Sequence, residues 1–411
     1  MDLLLTSKNE SFNATIQLPA SKSISNRFLI MQALSEKKFD IANLSDANDT
    51  FLLQKALTEM PEVLELGNAG TAMRFLTACL SITPGQWQLR GSKAMYQRPI
   101  KDLVDVLCFL GADIRYLGKK GFPPLLIHGK KLSGGNVKMP ETISSQYISA
   151  LLLIAPKLNG GLNLEIAKEQ VSRPYIDLTL KLMRQLGISF TETREKISIP
   201  RQSYQAVDVE VEPDWTAASY WYSAVFCSSG GKIVLPGLKW PSVQGDSHLV
   251  NFFSGLGVTS LISDDKIRIF RNSEPQTPSF KANLKNYPDI IQTLAVAFCL
   301  KKLPFQFTGV EHLVYKETNR LEALEKELLK IGIKNLGVSK KYIKCDKFPF
   351  LYSATAPSID TWGDHRMAMS FAMAAFACKN VRINNAEVVQ KSYPGFWDDL
   401  KKTKMQVDEL V

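Results

Sequence analysis

The sequence contains little of what metal sites, disulfide frameworks and membrane spans require. Its six cysteines show no C-x-x-C spacing, and its four histidines lie far apart along the 411 residues. We therefore expect free, mostly buried thiols in a reducing compartment, and we predict no metal site. No apolar run reaches the roughly 18 residues that a membrane span requires, and the N-terminus resembles neither a signal nor a transit peptide. These features predict a cytoplasmic protein.

Basic side chains outnumber acidic ones by 50 to 40, which gives a net charge of +10. This excess suits either a nucleic acid or a small acidic substrate, and the placement of the cations must decide between them. No block of consecutive Lys or Arg forms a tail, and 45% hydrophobic with 22% charged residues is an ordinary globular composition. The length is sufficient for two or three domains, each with its own core.

One pattern recurs along the chain: a helix ends in an apolar residue plus Gly, and a β-like segment follows. Its glycines are Gly111, Gly187, Gly257 and Gly332, spaced by 70 to 76 residues. Glycine suits the left-handed position that terminates a helix, so we predict helix ends there. A second class of helix is apolar on nearly all sides and is therefore predicted to be buried. These helices begin near six polar positions: Ser23, Thr71, Ser144, Asp214, Asp289 and Asp364.

These patterns predict an α/β (α+β) protein of six βαβαββ-like repeats, three per domain, with buried helices against sheets. The first repeat is truncated, because Thr50 and Gly67 leave room for one helix but hardly for a strand pair. We expect one domain to span 20–212 and the other to combine 1–19 with 213–411. The chain would then cross twice, near Pro19 and Pro213, which would put residues 21–27 at a hinge.

Lys or Arg stands at many of the predicted helix starts, where a cation opposes the helix dipole. Residues 21–27 add three serines and two cations to the free N–H groups of a helix start, which suits a bound anion. Taken singly, each such start also fits a capped helix with solvated charges. Their repetition favours a cleft for polyanionic small molecules, and three carboxylates in it would suit proton transfer. The cations are Lys22, Arg27, Arg74, Arg98, Lys316, Arg320, Arg366 and Lys391, and the carboxylates are Asp289, Glu317 and Asp364.

Eight segments, in order along nearly the whole chain, resemble the motifs of the EPSP synthases, a family of enolpyruvyl transferases. The resemblance implies that family's fold, an inside-out α/β prism of two three-repeat domains with two crossovers. It also implies transfer of the enolpyruvyl group of phosphoenolpyruvate to the 5-hydroxyl of shikimate 3-phosphate, through a tetrahedral intermediate that expels phosphate. No metal or other cofactor is implied. The segments are 18–27, 66–74, 98–100, 144–146, 172–177, 316–320, 364–369 and 391–394.

Carried over residue by residue, the resemblance implies three groups of site residues. Asp289 would take the proton of the 5-hydroxyl, and Glu317 with Lys22 would manage protonation of the enol methylene. The residues implied to hold shikimate 3-phosphate are Ser23, Arg27, Ser144, Ser145, Gln146, Ser172, Tyr175, Asp289, His312 and Lys316. Those implied to hold or line the pocket of phosphoenolpyruvate are Lys22, Asn68, Gly70, Arg74, Arg98, Gln146, Arg320, Arg366 and Lys391.

The sequence departs from the family pattern at three places. Phe75 follows Arg74 where the family usually has Pro, which alters the helix start beside the phosphoenolpyruvate pocket. His312 stands near the shikimate side where Asn or Arg is common. The truncated first repeat leaves the implied ligands untouched. Because Gly70 and Thr71 are retained, we expect glyphosate to inhibit in competition with phosphoenolpyruvate.

Three alternatives make different demands on the sequence. The enolpyruvyl transferase that acts on UDP-N-acetylglucosamine typically uses a cysteine in a mobile loop, and no cysteine stands in a comparable polar loop near Arg98. A nucleic-acid-binding protein would show basic stripes with interleaved aromatic residues, and an inactive relative would have lost proton-transfer positions that are filled here. We therefore expect a monomer with two small-molecule substrates, and neither nucleic acid nor membrane as a partner.

Overall fold

Helices and strands alternate along the chain, which confirms the mixed α/β class predicted from the sequence. The computed structural model describes residues 1–8, 10–140, 144–168, 170–275, 278–348 and 356–410. Two compact units divide the chain: a terminal unit, Met1–Pro19 with Glu212–Val411, and a central unit, Ala20–Val211. The chain thus leaves the terminal unit after its first strands and returns to it near residue 212.

The first two strands belong to the terminal unit. They are β1 (Asp2–Thr6) and β2 (Phe12–Thr15). Side chains alternate between buried and more exposed along both, as in strands that cover a core with one face. In β1 the buried positions are Leu3 and Leu5.

In the central unit, three helices are buried on most sides, as their apolar sequences predict. They begin at Lys22, Gly70 and Ser145, each within one residue of its predicted start. An outer helix such as Arg173–Gln185 instead buries one face. In chain order the elements are α1 (Lys22–Leu34), β3 (Ile41–Ala42), α2 (Asn48–Glu59), β4 (Val63–Glu65), α3 (Gly70–Ile82), β5 (Gly85–Arg90), α4 (Lys101–Phe109), β6 (Asp113–Tyr116), β7 (Leu125–Gly129), β8 (Gly135–Lys138), α5 (Ser145–Ile154), β9 (Leu162–Glu165), α6 (Arg173–Gln185), β10 (Thr191–Glu192), β11 (Lys196–Ile199) and β12 (Val209–Glu210).

The central sheets are unequal in size. Within the described ranges, two have four strands, in the orders β4-β5-β7-β6 and β10-β11-β9-β8. The third has two strands: β3 pairs in parallel with β12, with Ile41 opposite Val209. This small sheet accompanies the first repeat, in line with the short sequence between Thr50 and Gly67.

Glycines follow the outer helices at the predicted positions. Gly111 and Gly187 come after α4 and α6 with φ of +101° and +78°. A side chain is strained in this left-handed region, so glycine there ends the helix and lets the chain turn into the next strand. The other two glycines of the pattern also have positive φ, which confirms the predicted helix ends.

The terminal unit buries its central helices more completely. Every residue of the helices Ile291–Leu300 and His365–Ala372 is buried. These helices, and the one that begins at Trp215, start within two residues of the predicted positions. In chain order the remaining elements are α7 (Trp215–Cys227), β13 (Gly231–Pro236), α8 (Leu249–Ser254), β14 (Val258–Ser263), β15 (Lys266–Arg271), β16 (Phe280–Asn283), α9 (Ile291–Leu300), β17 (Phe305–Thr308), α10 (Arg320–Lys330), β18 (Leu336–Val338), β19 (Tyr342–Cys345), β20 (Ser358–Asp360), α11 (His365–Ala372), α12 (Ala375–Cys378), β21 (Asn380–Asn384), α13 (Phe396–Lys401) and β22 (Gln406–Leu410).

Three four-stranded sheets complete the terminal unit as far as it is described: β20-β21-β1-β22, β14-β15-β13-β2 and β16-β17-β19-β18. The first strand of the chain lies inside its sheet. β1 pairs antiparallel with β21, Leu3 opposite Ile383, and with β22, Asp2 opposite Leu410. Both neighbours of β1 therefore come from the last part of the sequence.

The six cysteines are free, and four of them are buried. Most of the thiols are therefore buried, as expected, whereas Cys108 is exposed because it lies on the outer face of the amphipathic helix α4. Within the described part of the chain, no group of three or more His, Cys, Asp or Glu could hold a metal ion. No described helix is both long enough and apolar enough to cross a membrane.

Candidate active site

In the terminal unit, one buried guanidinium contacts three carboxylates. Arg320 is the first residue of α10 and is 1% exposed. Its Nε donates to Asp364 Oδ2 at 2.7 Å, its Nη2 to Glu317 Oε2 at 2.8 Å and its Nη1 to Asp289 Oδ1 at 3.3 Å. Burial alone lowers the pKa of Arg320, but the attraction of Asp364 and Glu317 outweighs it, so the pKa lies above its ordinary value. We call these four residues the Arg320 cluster.

A second cation reaches each of the two carboxylates with predicted proton-transfer roles. Arg366 Nη2 lies 3.1 Å from Asp289 Oδ2, and its Nη1 donates to the Asp289 carbonyl at 3.1 Å. Lys391 Nζ lies 3.3 Å from Glu317 Oε1. The structure thus brings together Asp289, Glu317, Arg320, Arg366 and Lys391, and the paired cations favour the ionised carboxylates.

Asp364 supports this arrangement from below the surface. It is fully buried and caps α11, where its Oδ1 accepts from the backbone N–H of Arg366 at 2.9 Å. Its Oδ2 accepts from Arg320 and, at 3.4 Å, from the Gln292 side chain. One carboxylate therefore fixes a cation of α10 and the first turn of α11 together.

Burial lowers the pKa of two basic side chains of the terminal unit, Lys316 and His312. Burial is the main cause that lowers the pKa of Lys316, and the charge of Asp289 opposes the shift. Burial, followed by the charge of Lys316, lowers the pKa of His312 to about 3. The His312 imidazole is therefore neutral near pH 7, and its Nε2 is buried without a hydrogen-bond partner among the described residues.

In the central unit, Arg27 is buried against neutral acceptors. Its Nε donates to Thr179 Oγ1 at 2.8 Å and its Nη1 to the Ser23 carbonyl at 2.7 Å. Its Nη2 donates to Ser149 Oγ at 3.2 Å and to the Tyr175 carbonyl at 3.1 Å. Burial lowers the pKa of Arg27 to about 10, so the side chain stays cationic at pH 7. Arg27, Ser23, Thr179, Ser149 and Tyr175 are called the Arg27 cluster below.

Lys22 has a carboxylate partner that the sequence analysis missed. Its Nζ lies 3.2 Å from Asp49 Oδ2, and both side chains are largely buried. Asp49 stands in the first turn of α2, where a carboxylate interacts favourably with the helix dipole. No local pattern connects it to a lysine 27 residues earlier.

A Gly-Arg contact lies at the start of α3. A Cβ added to Gly70 would stand 2.7 Å from Arg98 Cζ, so glycine is what lets this guanidinium lie against the helix start. Arg74, one turn further on, donates to the Gly70 carbonyl at 3.3 Å and to the Pro99 carbonyl at 2.9 Å. Arg74 and Arg98 therefore share the neighbourhood of Gly70, as the resemblance implies.

The remaining central residues lie at the starts of helices or in adjacent turns. Ser144 caps α5 by accepting from the Gln146 N–H at 3.3 Å, and the Gln146 side chain donates to Thr71 Oγ1 at 3.3 Å. The side chain of Asn68 contacts Ser92. The bond between Gln146 and Thr71 joins the start of α5 to that of α3.

Two predicted ligands stand apart from these networks. Ser145 is buried at the first position of α5. Ser172 precedes α6 with φ of 57°, a left-handed conformation uncommon for a residue with a side chain. The described hydrogen bonds do not join either side chain to Arg27 or Arg98.

A further carboxyl group that no motif indicated is buried in the terminal unit. Asp246 is 4% exposed, and its Oδ2 accepts from the Thr216 hydroxyl at 2.5 Å. Burial, and then the charge of Asp289, raises the pKa of Asp246 to about 7. Asp246 lies in a short 3₁₀ segment, Gly245–His248, outside every motif described above. No sequence signal therefore marked it.

Comparison with known proteins gives one consistent family. The family model described as EPSP synthase (3-phosphoshikimate 1-carboxyvinyltransferase) matches residues 6–63 and 53–400. A 3-phosphoshikimate 1-carboxyvinyltransferase of Bacteroides fragilis is 46% identical over 407 residues and covers 97% of each chain. The enzyme of that name from Cellvibrio japonicus is 36% identical, with coverage of 93% of this chain and 95% of its own. A solved EPSP synthase from Acinetobacter baumannii has the same fold, with a TM-score of 0.78 at 20% identity over 99% of this chain and 100% of that one.

Proposed function

This chain belongs to the EPSP synthase (3-phosphoshikimate 1-carboxyvinyltransferase) family, and from that premise we propose how its residues divide the reaction. The enzyme transfers the enolpyruvyl group of phosphoenolpyruvate to the 5-hydroxyl of shikimate 3-phosphate in aromatic biosynthesis. Phosphate is released. Both substrates are polyanions, which accounts for the cations at so many helix starts.

We propose that Asp289 is the base for the attacking hydroxyl. As the 5-oxygen bonds to C2 of phosphoenolpyruvate, its proton passes to the Asp289 carboxylate and C3 gains a proton, which yields the tetrahedral intermediate. Loss of a C3 proton and cleavage of the bond between C2 and the phosphate oxygen then restore the enol ether, and the proton held by Asp289 leaves with the phosphate. Glu317, with Lys22, is proposed to give and take the C3 proton.

The observation that carries this proposal is the Arg320 cluster. Two carboxylates for two proton transfers, Asp289 and Glu317, bond to the same buried guanidinium. Arg366 and Lys391 add one cation to each of them. These cations also suit the phosphate and carboxylate of phosphoenolpyruvate.

Substrate contacts are proposed separately for each unit. In the central unit, the shikimate 3-phosphate contacts are Ser23, Arg27, Ser144, Ser145, Gln146, Ser172 and Tyr175, and the phosphoenolpyruvate contacts are Lys22, Asn68, Gly70, Arg74, Arg98 and Gln146. In the terminal unit, the former are Asp289, His312 and Lys316, and the latter are Arg320, Arg366 and Lys391.

The buried cations also bear on the alternatives. Arg27 and Arg320 are 3% and 1% exposed, whereas a nucleic-acid surface needs accessible cations. Cys108, the exposed cysteine, lies inside helix α4 and not in a loop. We further propose that the enzyme works as a monomer, since one chain supplies all proposed contacts, and in the cytoplasm, since its cysteines are free.

The direct test is release of phosphate by the purified protein. With shikimate 3-phosphate and phosphoenolpyruvate, and no added metal, we expect continuous phosphate formation that stops when either substrate is omitted. UDP-N-acetylglucosamine in place of shikimate 3-phosphate should give none. Turnover with the nucleotide sugar alone would overturn the assignment, and sedimentation of the same preparation tests the monomer.

A further inference from the structure

Phe75 lies on α3, the helix that carries two proposed phosphoenolpyruvate contacts, Gly70 and Arg74. Its ring nevertheless contacts Arg27, a proposed contact of shikimate 3-phosphate. Phe75 follows Arg74 in α3 and is 1% exposed. Consecutive helical residues point about 100° apart, and the two side chains here serve different neighbours. Arg74 bonds to the carbonyls of Gly70 and Pro99, whereas the Phe75 ring faces Arg27, with its centroid 5.4 Å from Arg27 Cζ.

The surroundings of Arg27 make this contact significant. A guanidinium has five N–H donors, and the Arg27 cluster uses four of them. All four acceptors are neutral, and no described carboxylate contributes to the electrostatics of Arg27. A buried cation without an anion is costly, and an aromatic face within about 6 Å offsets part of that cost. Because the guanidinium is planar, its four bonds also set the direction of the fifth donor, while the ring packs against the group.

We propose that Phe75 is a positioning residue for shikimate 3-phosphate, acting through Arg27. The proposal rests on the proposed role of Arg27 in binding that substrate. It assigns to Phe75 an effect on the affinity for shikimate 3-phosphate, although the residue lies next to Arg74 in the phosphoenolpyruvate segment. The aromatic face holds the cation ready while the substrate is absent, and the remaining donor meets the substrate's anionic group on arrival.

The first experiment replaces the ring by an aliphatic side chain of similar size, Phe75→Leu. We expect the Kd of shikimate 3-phosphate, measured by calorimetry without phosphoenolpyruvate, to rise about 3- to 20-fold. The KM for shikimate 3-phosphate should rise in parallel, while kcat and the KM for phosphoenolpyruvate stay within about twofold. Phe39→Leu is the matched control, because Phe39 is buried in the same unit and is not in a described cation–π pair.

A second experiment separates the ring's charge distribution from its packing. Pentafluorophenylalanine at position 75 keeps the shape of the ring but reverses its quadrupole, so we expect it to weaken shikimate 3-phosphate binding as Phe75→Leu does. In an Arg27→Gln background, Phe75→Leu should have no further effect on that affinity. This variant pair remains informative even if Phe75→Leu lowers the unfolding temperature.

The outcomes distinguish a failure of the proposed function from a failure of the positioning role of Phe75. If the wild-type protein fails to bind shikimate 3-phosphate, the proposed function fails. If the wild type binds it and both Phe75 variants bind equally well, the function stands and the positioning role is refuted. A rise confined to the KM for phosphoenolpyruvate would also refute it, since Phe75 would then act with Arg74.

Discussion

The terminal and central units hold their buried cations in opposite ways. In the terminal unit, Arg320 contacts three carboxylates, and Arg366 and Lys391 add further ion pairs. In the central unit, Arg27 is held by hydroxyls, carbonyls and an aromatic ring. Attraction by carboxylates leaves the pKa of Arg320 above its ordinary value, while burial lowers the pKa of Arg27 to about 10.

The difference follows from what each unit is proposed to do. Proton transfer needs carboxyl groups, and the cations beside them stabilise the ionised form. In the central unit, Arg27 is a proposed contact of shikimate 3-phosphate, and its neutral acceptors leave its charge free to attract that anion. Lys22, the residue of the central unit with a proposed share in proton transfer, does pair with a carboxylate, Asp49.

Removing an acid from the terminal unit should have the largest effect on the difference between the two units. We expect Asp289→Asn to lower kcat by about 10³-fold, within the range typical of a lost general base, while shikimate 3-phosphate still binds. Phosphate release and calorimetry measure the two effects. Asp265→Asn is the control, because its carboxylate is 71% exposed and contacts Lys266 and Ser263, neither of which is a proposed site residue. Wild-type turnover in Asp289→Asn would contradict the base role.

Removing the two buried guanidinium groups should sharpen the comparison. Arg320→Met leaves three carboxylates near one another without their common cation, and we expect a loss of about 3–5 kcal/mol in the free energy of unfolding. Arg27→Met leaves only neutral acceptors, with an expected loss of about 1–3 kcal/mol. Urea unfolding at pH 7.5 measures both. Equal losses would show that the partners' charges do not matter.

A smaller effect is expected where backbone and guanidinium touch in the central unit. In Gly70→Ala, the new Cβ would stand 2.7 Å from Arg98 Cζ, so the flexible arginine must move away. A hydrogen bond to a charged group contributes about 1.5–3 kcal/mol, and its partial loss should raise the KM for phosphoenolpyruvate roughly tenfold. Gly255→Ala, with open space around the added Cβ, is the control. An unchanged KM would show that Arg98 tolerates the shift.

The smallest expected effect is a pH dependence of the free energy of unfolding, caused by His312 in the terminal unit. Burial and Lys316 lower the pKa of His312 to about 3, so between pH 3 and about 6.5 the unfolded chain binds the proton that the folded one refuses. This residue's share of stability is therefore present above pH 6.5 and is lost as pH falls. Between pH 7 and 5 the wild type should lose about 1–2 kcal/mol more than His312→Gln. Parallel stability curves would contradict this.

The fold could be predicted largely from patterns among neighbouring residues. The buried helices start within two residues of the expected positions, because polar caps and long apolar runs are properties of neighbouring residues. The family and its reaction were predicted correctly from ordered motifs. The partner of Lys22 was not, nor were those of Arg27, which lie up to 152 residues away. Pairings of that kind depend on how helices pack, and one sequence contains no local record of them.

The interior position of β1 has a consequence for biosynthesis. Both neighbours of this strand, β21 and β22, lie far later in the sequence and are synthesised long after it, so β1 must stay unpaired until they have been made. The central unit, whose strands pair with one another, can fold while the terminal unit is still being made. An arrest of translation before residue 380 should therefore yield a nascent chain with a protease-resistant central part and a sensitive N-terminus.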